Sequence, residues 1–179
     1  MVATATKLIE EQGYAATGLK QLLAESEAPR GSFYFHFPGG KEELAAAVVA
    51  NHATKFAAML GAVLESAPTP LAAAELSVEA LASQFEGSGC ASGCPVTAIA
   101  FEMANRSELL RDATRAAYDS WAHPIADRLV ADGRSAEDAR ATARTLLAAI
   151  EGALILSRAY GSRGPLDDLK TRLEPLLRA

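Results

Sequence analysis

Residues 17–44 read TGLKQLLAESEAPRGSFYFHFPGGKEEL, and this stretch packs two short helices and a tight break into under thirty positions. Thr17 stands where a hydroxyl can cap the first helix, and Leu19, Leu22 and Leu23 recur on the face that would bury it. Pro29 supplies the break, because proline fits only the first turn of a helix and biases the preceding Ala28 away from helical dihedrals. A second helix is therefore expected from Pro29 or Arg30. It sets Arg30, Gly31 and Ser32 first and the aromatic run Phe33, Tyr34, Phe35, His36 and Phe37 after them. That order suits a helix that reads DNA: a slim basic tip approaches base edges while Phe33 and Phe37, four apart, anchor the far end. The stretch reads as a helix-turn-helix.

Working outward, residues 3–12 read as a first helix with Ala5, Leu8 and Ile9 inward and Gly13 as a left-handed C-terminal residue. Beyond Pro38-Gly39-Gly40, a long connector is expected over residues 41–66. Further helices are expected over 71–85, 95–106, 108–132 with a kink-prone His123-Pro124, 136–160 capped by Ser135, and 165–178. Residues 86–93, EGSGCASG, read as a loop. Alanine and leucine dominate and no alternating run persists, so the expected class is all-α with nine helices.

The chain has 179 residues, half of them apolar, enough for a sizeable core. No stretch reads as long and charge-free enough to span a bilayer and no signal peptide opens the chain, so a soluble, cytoplasmic protein with no membrane partner is expected. The net charge of −5 argues against nucleic acid on its face. Its distribution weakens that objection, since residues 1–41 carry four Lys/Arg and four Asp/Glu while residues 42–133 carry five and twelve. A neutral reading head has modest affinity alone and gains from being doubled.

The runs Gly13-Tyr14-Ala15-Ala16-Thr17-Gly18-Leu19, Ala28-Pro29-Arg30-Gly31-Ser32-Phe33-Tyr34 and Phe37-Pro38-Gly39-Gly40-Lys41-Glu42-Glu43-Leu44, with the later Gly93-Cys94-Pro95-Val96, resemble the LmrA/YxaF-like branch of the TetR-family transcriptional repressors. The resemblance implies a nine-helix architecture. A three-helix helix-turn-helix DNA-binding domain (residues 1–40) precedes a helical effector-binding and dimerisation domain (residues 41–179). Members usually carry several residues, often basic, ahead of the first helix, whereas here it begins almost at Met1, which leaves open whether the start is naturally short or trimmed.

For DNA contact the candidates are Arg30, Gly31, Ser32 and Phe35 on the second helix, Thr17, Lys20 and Gln21 at the start of the first, and Lys41 at the next helix start. Tyr34 and His36 match family positions that touch phosphate or support the helix. Thr17 has capping, Lys20 a solvated surface and Tyr34 packing as alternative roles. Ligand-lining candidates are Phe56, Met59, Leu60, Phe85, Phe101, Met103, Tyr118 and Trp121, an apolar set with a few polar tips that also describes an ordinary core. The resemblance implies a small hydrophobic or planar effector.

Residues 146–156, LLAAIEGALIL, are apolar on nearly every face, and Leu166, Leu169, Leu173, Leu176 and Leu177 follow at helical spacing. Ile150, Leu154, Leu169 and Leu173 are the expected homodimer contacts, with Ala149, Gly152 and Ala153 permitting close approach; two internal helices of a monomer would show the same pattern. A symmetric dimer demands a palindromic operator in double-stranded DNA.

No cofactor, metal or catalytic set is expected: Cys90 and Cys94 form a lone C-x3-C, and His36, His52 and His123 have no paired ligand spacing. A cytoplasmic chain normally keeps such thiols reduced, with Cys94 buried by default. The leading reading is a ligand-responsive DNA-binding regulator. Two others stay open, a helical thiol-dependent enzyme using Cys90 or Cys94 and a ligand-binding relative that no longer binds DNA.

Overall fold

Helix boundaries in the computed structural model, which describes residues 1–178, fall largely at prolines, glycines and hydroxyl caps. Ten helices and no strands occur among the described residues. They are α1 (Val2–Gln12), α2 (Leu19–Glu25), α3 (Arg30–His36), α4 (Lys41–Ser66), α5 (Pro70–Gly87), α6 (Pro95–Met103), α7 (Glu108–Ala131), α8 (Ala136–Tyr160), α9 (Gly164–Thr171) and α10 (Glu174–Leu177).

Local chemistry accounts for most of the punctuation. Thr69 accepts the Ala72 N–H at 3.1 Å and Pro70 opens α5, while Ser135 accepts the Asp138 N–H at 3.2 Å to open α8. Gly161 closes α8 in the left-handed conformation (φ 59°, ψ 34°). Ser107 accepts the Leu110 N–H at 3.3 Å and donates its own hydrogen to Glu42 at 2.6 Å, so one hydroxyl starts α7 and ties it to α4.

Four expectations change. Thr17 does not cap α2: Gly18 holds the cap position without a side-chain bond, and the Thr17 hydroxyl instead donates to Gly13 O at 2.7 Å. Gly13 has positive φ (86°), yet its ψ of 171° is extended rather than left-handed helical. Helix α6 ends at Met103, three residues short of the expected 106. The expected final helix is two helices, because Pro175 lacks the N–H that would continue the ladder and clashes with a helical carbonyl four residues back. Arg134 holds the second piece by donating to Leu176 O and Arg178 O at 2.9 and 2.6 Å.

The chain divides into two compact units. The first comprises Met1–Lys55 and Cys94–Ala117, and the second Phe56–Gly93 with the described residues from Tyr118 onward. The helix-turn-helix thus shares its compact unit with α6 and the opening halves of α4 and α7, well past residue 40. Ala5, Leu8, Ile9, Leu22, Phe33, Leu44, Val48, Val49, Val96, Ile99 and Leu110 form its core. In the second unit α9 packs on α5 and α8, and Val78, Phe85, Trp121, Leu129, Leu166 and Leu173 are among its buried residues. By length and composition Lys41–Ser66 meets the requirement for a membrane-crossing helix, contrary to the expectation that no stretch does. Its Leu44, Val48, Val49 and Leu60 are nevertheless buried in these helical cores.

Candidate nucleic-acid interface and effector cavity

Helix α3 is held at its middle and bare at its tip. Phe33 is fully buried, with Tyr34 edge-on at 5.1 Å between ring centroids and Phe37 at 5.7 Å. Pro29 holds the cap position at φ −62°, ψ 141°, so the chain arrives extended and turns into the helix at Arg30. Arg30 and Gly31 are exposed and Ser32 is half-buried, and a Cβ built on Gly31 meets nothing within 4 Å. Phe35 is 82% exposed, leaning edge-on against His36 at 5.2 Å, and Tyr34 is about half exposed. A basic residue, a gap, a hydroxyl and a solvent-facing phenyl therefore share one short helix.

The supporting candidates are less available. Lys20 is exposed on α2, but Gln21 is engaged from both sides, accepting from Gln12 Nε2 at 2.9 Å and donating to Glu25 at 2.8 Å. Thr17 is buried. Lys41 donates its ammonium to Tyr14 O at 2.6 Å and sits 4.1 Å above the Tyr14 ring. Burial pushes the Lys41 pKa down, with the Glu102 charge acting in the opposite direction. Burial, Glu42 and Glu102 push the Tyr14 phenol up.

Glu102 has no counterpart in the sequence reading. It lies on α6, and its carboxylate accepts the N–H groups of Tyr14 at 2.9 Å and Ala15 at 2.6 Å. Nothing local marks it, since its partners are 88 and 87 residues away.

The second unit contains an almost wholly apolar cavity of about 30 Å³. Its lining includes Phe56, Leu60, Leu64, Ser77, Arg128, Leu129 and Ile150. The polar groups there are already engaged: Ser77 donates to Ala73 O at 2.8 Å, and Arg128 donates to the carbonyls of Leu64, Ala67 and Pro68 at 2.5 to 3.1 Å. A space of that size holds about one water, so an effector enters only if side chains move. A larger, more open groove of about 290 Å³ lies between α7 and α8, bordered by Tyr118, Ala122, Arg144, Leu147 and Glu151.

Of the ligand candidates, Phe56 and Leu60 line the cavity and Tyr118 borders the groove. Trp121 is core, its ring 4.6 Å from Phe56 and edge-on to Tyr118 at 5.5 Å, and Phe85 is likewise buried. Met59 is half-buried and outside the cavity lining. Phe101 and Met103 lie apart from both spaces: they belong to the first unit, and Phe101 is 92% exposed.

The dimer candidates divide similarly. Ile150 and Leu173 are buried within their own chain, Ile150 in the cavity wall, so neither offers a surface to a partner. Leu154 and Leu169 are half-buried. On α8 a helical repeat instead exposes Ala141, Thr145, Ala148, Ile155 and Ala159, with Leu156 and Tyr160 beside them, while Leu146, Ile150, Ala153 and Ser157 face inward. Cys90 and Cys94 are half-buried and not disulfide-bonded.

Residues 1–48 match the TetR family of bacterial regulatory proteins, and residues 70–172 match the LmrA/YxaF-like C-terminal domain of transcriptional regulators. The chain is 34% identical over 178 residues to the HTH-type transcriptional regulator LmrA of Bacillus subtilis (strain 168), covering 99% of this chain and 95% of that protein. The regulator YxaF of the same organism is 34% identical over 175 residues, covering 98% and 92%. Among solved structures, a TetR transcriptional regulator from Legionella pneumophila superposes with a TM-score of 0.87 at 21% identity, over 97% of this chain and 93% of that one.

Proposed function

The chain belongs to the TetR family of transcriptional regulators, with an LmrA/YxaF-like C-terminal domain, and on that basis we propose that it is a homodimeric repressor released from a palindromic operator by a small hydrophobic effector. Family membership makes it a DNA-binding regulator and not an enzyme, which removes the reading built on Cys90 and Cys94 as catalytic thiols.

The observation that carries the DNA-reading assignment is the contrast along α3, with Phe33 sealed in the core and Arg30, Gly31 and Phe35 in solvent. Arg30 supplies a fork for guanine or phosphate, Gly31 lets the backbone approach, Ser32 offers a short donor and acceptor, and Phe35 presents an apolar surface to a base edge. Tyr34, His36 and Lys20 are placed to meet flanking phosphates. Thr17, Gln21 and Lys41, whose polar groups are engaged internally, support the turn and act on DNA through the posture of α2 and α3.

Two such heads, joined through the exposed apolar face of α8, act at high effective concentration, which offsets the weak electrostatics of a neutral head. Helix α4 contributes Leu44 and Val48 to the core of the reading unit and Phe56 and Leu60 to the cavity wall. An effector that opens the cavity shifts that continuous helix, and it does so only to the extent that it binds the two forms unequally. The protein works in the cytoplasm, where its operator is.

The test is a gel shift on DNA from upstream of its own coding region, at two salt concentrations, with Arg30→Ala as comparison. Wild-type protein is expected to bind in a salt-sensitive way, and Arg30→Ala to bind about ten-fold or more weakly. Equal binding by both proteins would discredit α3 as the reading element.

A further inference from the structure

We propose that Glu102 on α6 is a positioning residue for operator binding, its carboxylate setting the posture of the turn that leads into the helix-turn-helix. The inference rests on the operator-binding reading above and adds a residue far from α2 and α3.

The carboxylate is seated in a small anion nest. Oε1 accepts the Tyr14 N–H at 2.9 Å and Oε2 accepts the Ala15 N–H at 2.6 Å. Two successive N–H groups meet the two oxygens of one carboxylate where Gly13 turns the chain at φ 86°. Gly13 also leaves the room: a Cβ there would stand 2.7 Å from Glu102 Oε1, so any side chain would displace the carboxylate. The same segment is gripped from a second helix, since Lys41 on α4 donates to Tyr14 O at 2.6 Å and covers the Tyr14 ring.

Residues 13–18 are the covalent link between α1 and α2, and they are braced further along. The Thr17 N–H donates to Tyr14 O at 3.2 Å, and the Thr17 hydroxyl donates to Gly13 O at 2.7 Å. A displacement of the Tyr14 peptide is thereby passed to the first turn of α2. The Ala15 contact is exposed and the Tyr14 contact only part-buried, so the carboxylate is expected to add less to global folding than the buried Ala5, Leu8, Ile9 and Phe33. Base reading is more demanding than folding, because reading groups must be held to within about 0.5 Å.

The test measures operator affinity by fluorescence anisotropy on DNA that the wild-type protein selects from a random-sequence pool. The variants are Glu102→Gln, Glu102→Ala, Gly13→Ala and the Gly13→Ala/Glu102→Ala pair, each with its thermal unfolding curve. Glu102→Ala is expected to weaken binding about ten-fold or more, the scale of a lost charge-assisted hydrogen bond, with Glu102→Gln intermediate because it keeps one acceptor. Gly13→Ala should bind at least as weakly as Glu102→Ala, since it displaces the carboxylate and strains the turn, and the double variant should be no weaker than the weaker single, since both changes break the same contact. Unfolding curves of the two Glu102 single variants should stay close to wild type, those of the proteins carrying Gly13→Ala should fall because a side chain at φ 86° is strained, and amide exchange at Tyr14 and Ala15 should quicken in Glu102→Gln.

Wild-type affinity in Glu102→Ala overturns the proposal, as do losses that multiply in the double variant or losses in the Glu102 single variants that merely track loss of folding. If Glu102→Ala does not fold, Glu102→Gln decides: quickened exchange at Tyr14 and Ala15 with weakened binding supports the role, and unchanged binding sinks it. A wild-type protein that selects no DNA at all overturns the regulator reading itself, whereas tight wild-type binding with indifferent variants overturns only the role of Glu102.

Discussion

Glu10 Oε1 on α1 and His52 Nδ1 on α4 lie 3.7 Å apart, yet their surroundings disfavour the ion pair that this distance suggests. Burial and the neighbouring Glu11 push the Glu10 carboxyl up to about 7, while burial and Lys55 push His52 down to about 4. Between those values the contact is between two neutral groups. Glu10 holds its proton more tightly when folded, so its contribution is fullest below its ordinary pKa of 4.5 and fades as pH rises to about 7. His52 has the opposite sign: its contribution is full above 6.5 and is lost as pH falls towards about 4.

Glu10→Gln removes only the first of these terms. The variant should match wild type near pH 4.5 and exceed it by about 1 to 2 kcal/mol at pH 8, after allowing for solvent screening of a partly exposed pair. Thermal unfolding at the two pH values checks this, and an equal difference at both would refute it.

Glu79 on α5 is held by two cations, Lys170 at 3.0 Å and Arg163 at 3.0 Å. Their hydrogen bonds hold its carboxyl at about 2, and the bonds to Asp167 and Glu79 raise the Arg163 guanidinium in turn. A depressed carboxylate contributes stability that is present above 4.5 and lost as pH falls towards 2. Glu79→Gln should therefore flatten acid unfolding across that window and reduce the sensitivity of the melting temperature to added salt. Identical acid and salt profiles for the two proteins would show that the cluster between α5 and α9 contributes nothing.

Glu27, in the turn between α2 and α3, adopts φ 51°, a conformation costly for a side chain and easy for glycine. Glu27→Gly should stabilise the protein by about 0.5 to 1 kcal/mol in urea unfolding, the strain relieved being partly offset by a freer unfolded chain. Glu27→Gln keeps the strain and removes the charge, so it should strengthen DNA binding without changing stability. If both substitutions behave alike in the two assays, strain and charge are not separate effects at Glu27.

Ile155 is 57% exposed on the outward face of α8, in register with Ala148 and Ala159. Ile155→Arg should yield monomers in sedimentation velocity and weaken operator binding by about a hundred-fold, as the second head loses its effective concentration. Leu76→Arg, at a comparably exposed residue on α5, should leave the dimer intact. A dimer that survives Ile155→Arg would move the interface elsewhere.

Helix α3 was legible because its signals are local. Pro29 breaks the chain at one point, Phe33 and Phe37 recur on one face, and the structure accordingly places Arg30 and Gly31 at an exposed tip. Thr69-Pro70, Ser135 and Gly161 were legible for the same reason, each acting on backbone groups within one helical turn. The break at Pro175 had its signal too, but leucine periodicity on both sides concealed it.

What the amino-acid order determined alone was therefore the helical class, most element boundaries and the exposed tip of α3. Tertiary structure decided which apolar residues became core, cavity wall or surface, since helical periodicity is the same for all three. Ile150 went to the cavity wall, Trp121 to the core and Phe101 to solvent, though each sits in an apolar helical stretch. Only the folded chain could bring Glu102 to the Tyr14 and Ala15 amides, because a contact between groups 88 and 87 residues apart leaves no pattern in either neighbourhood.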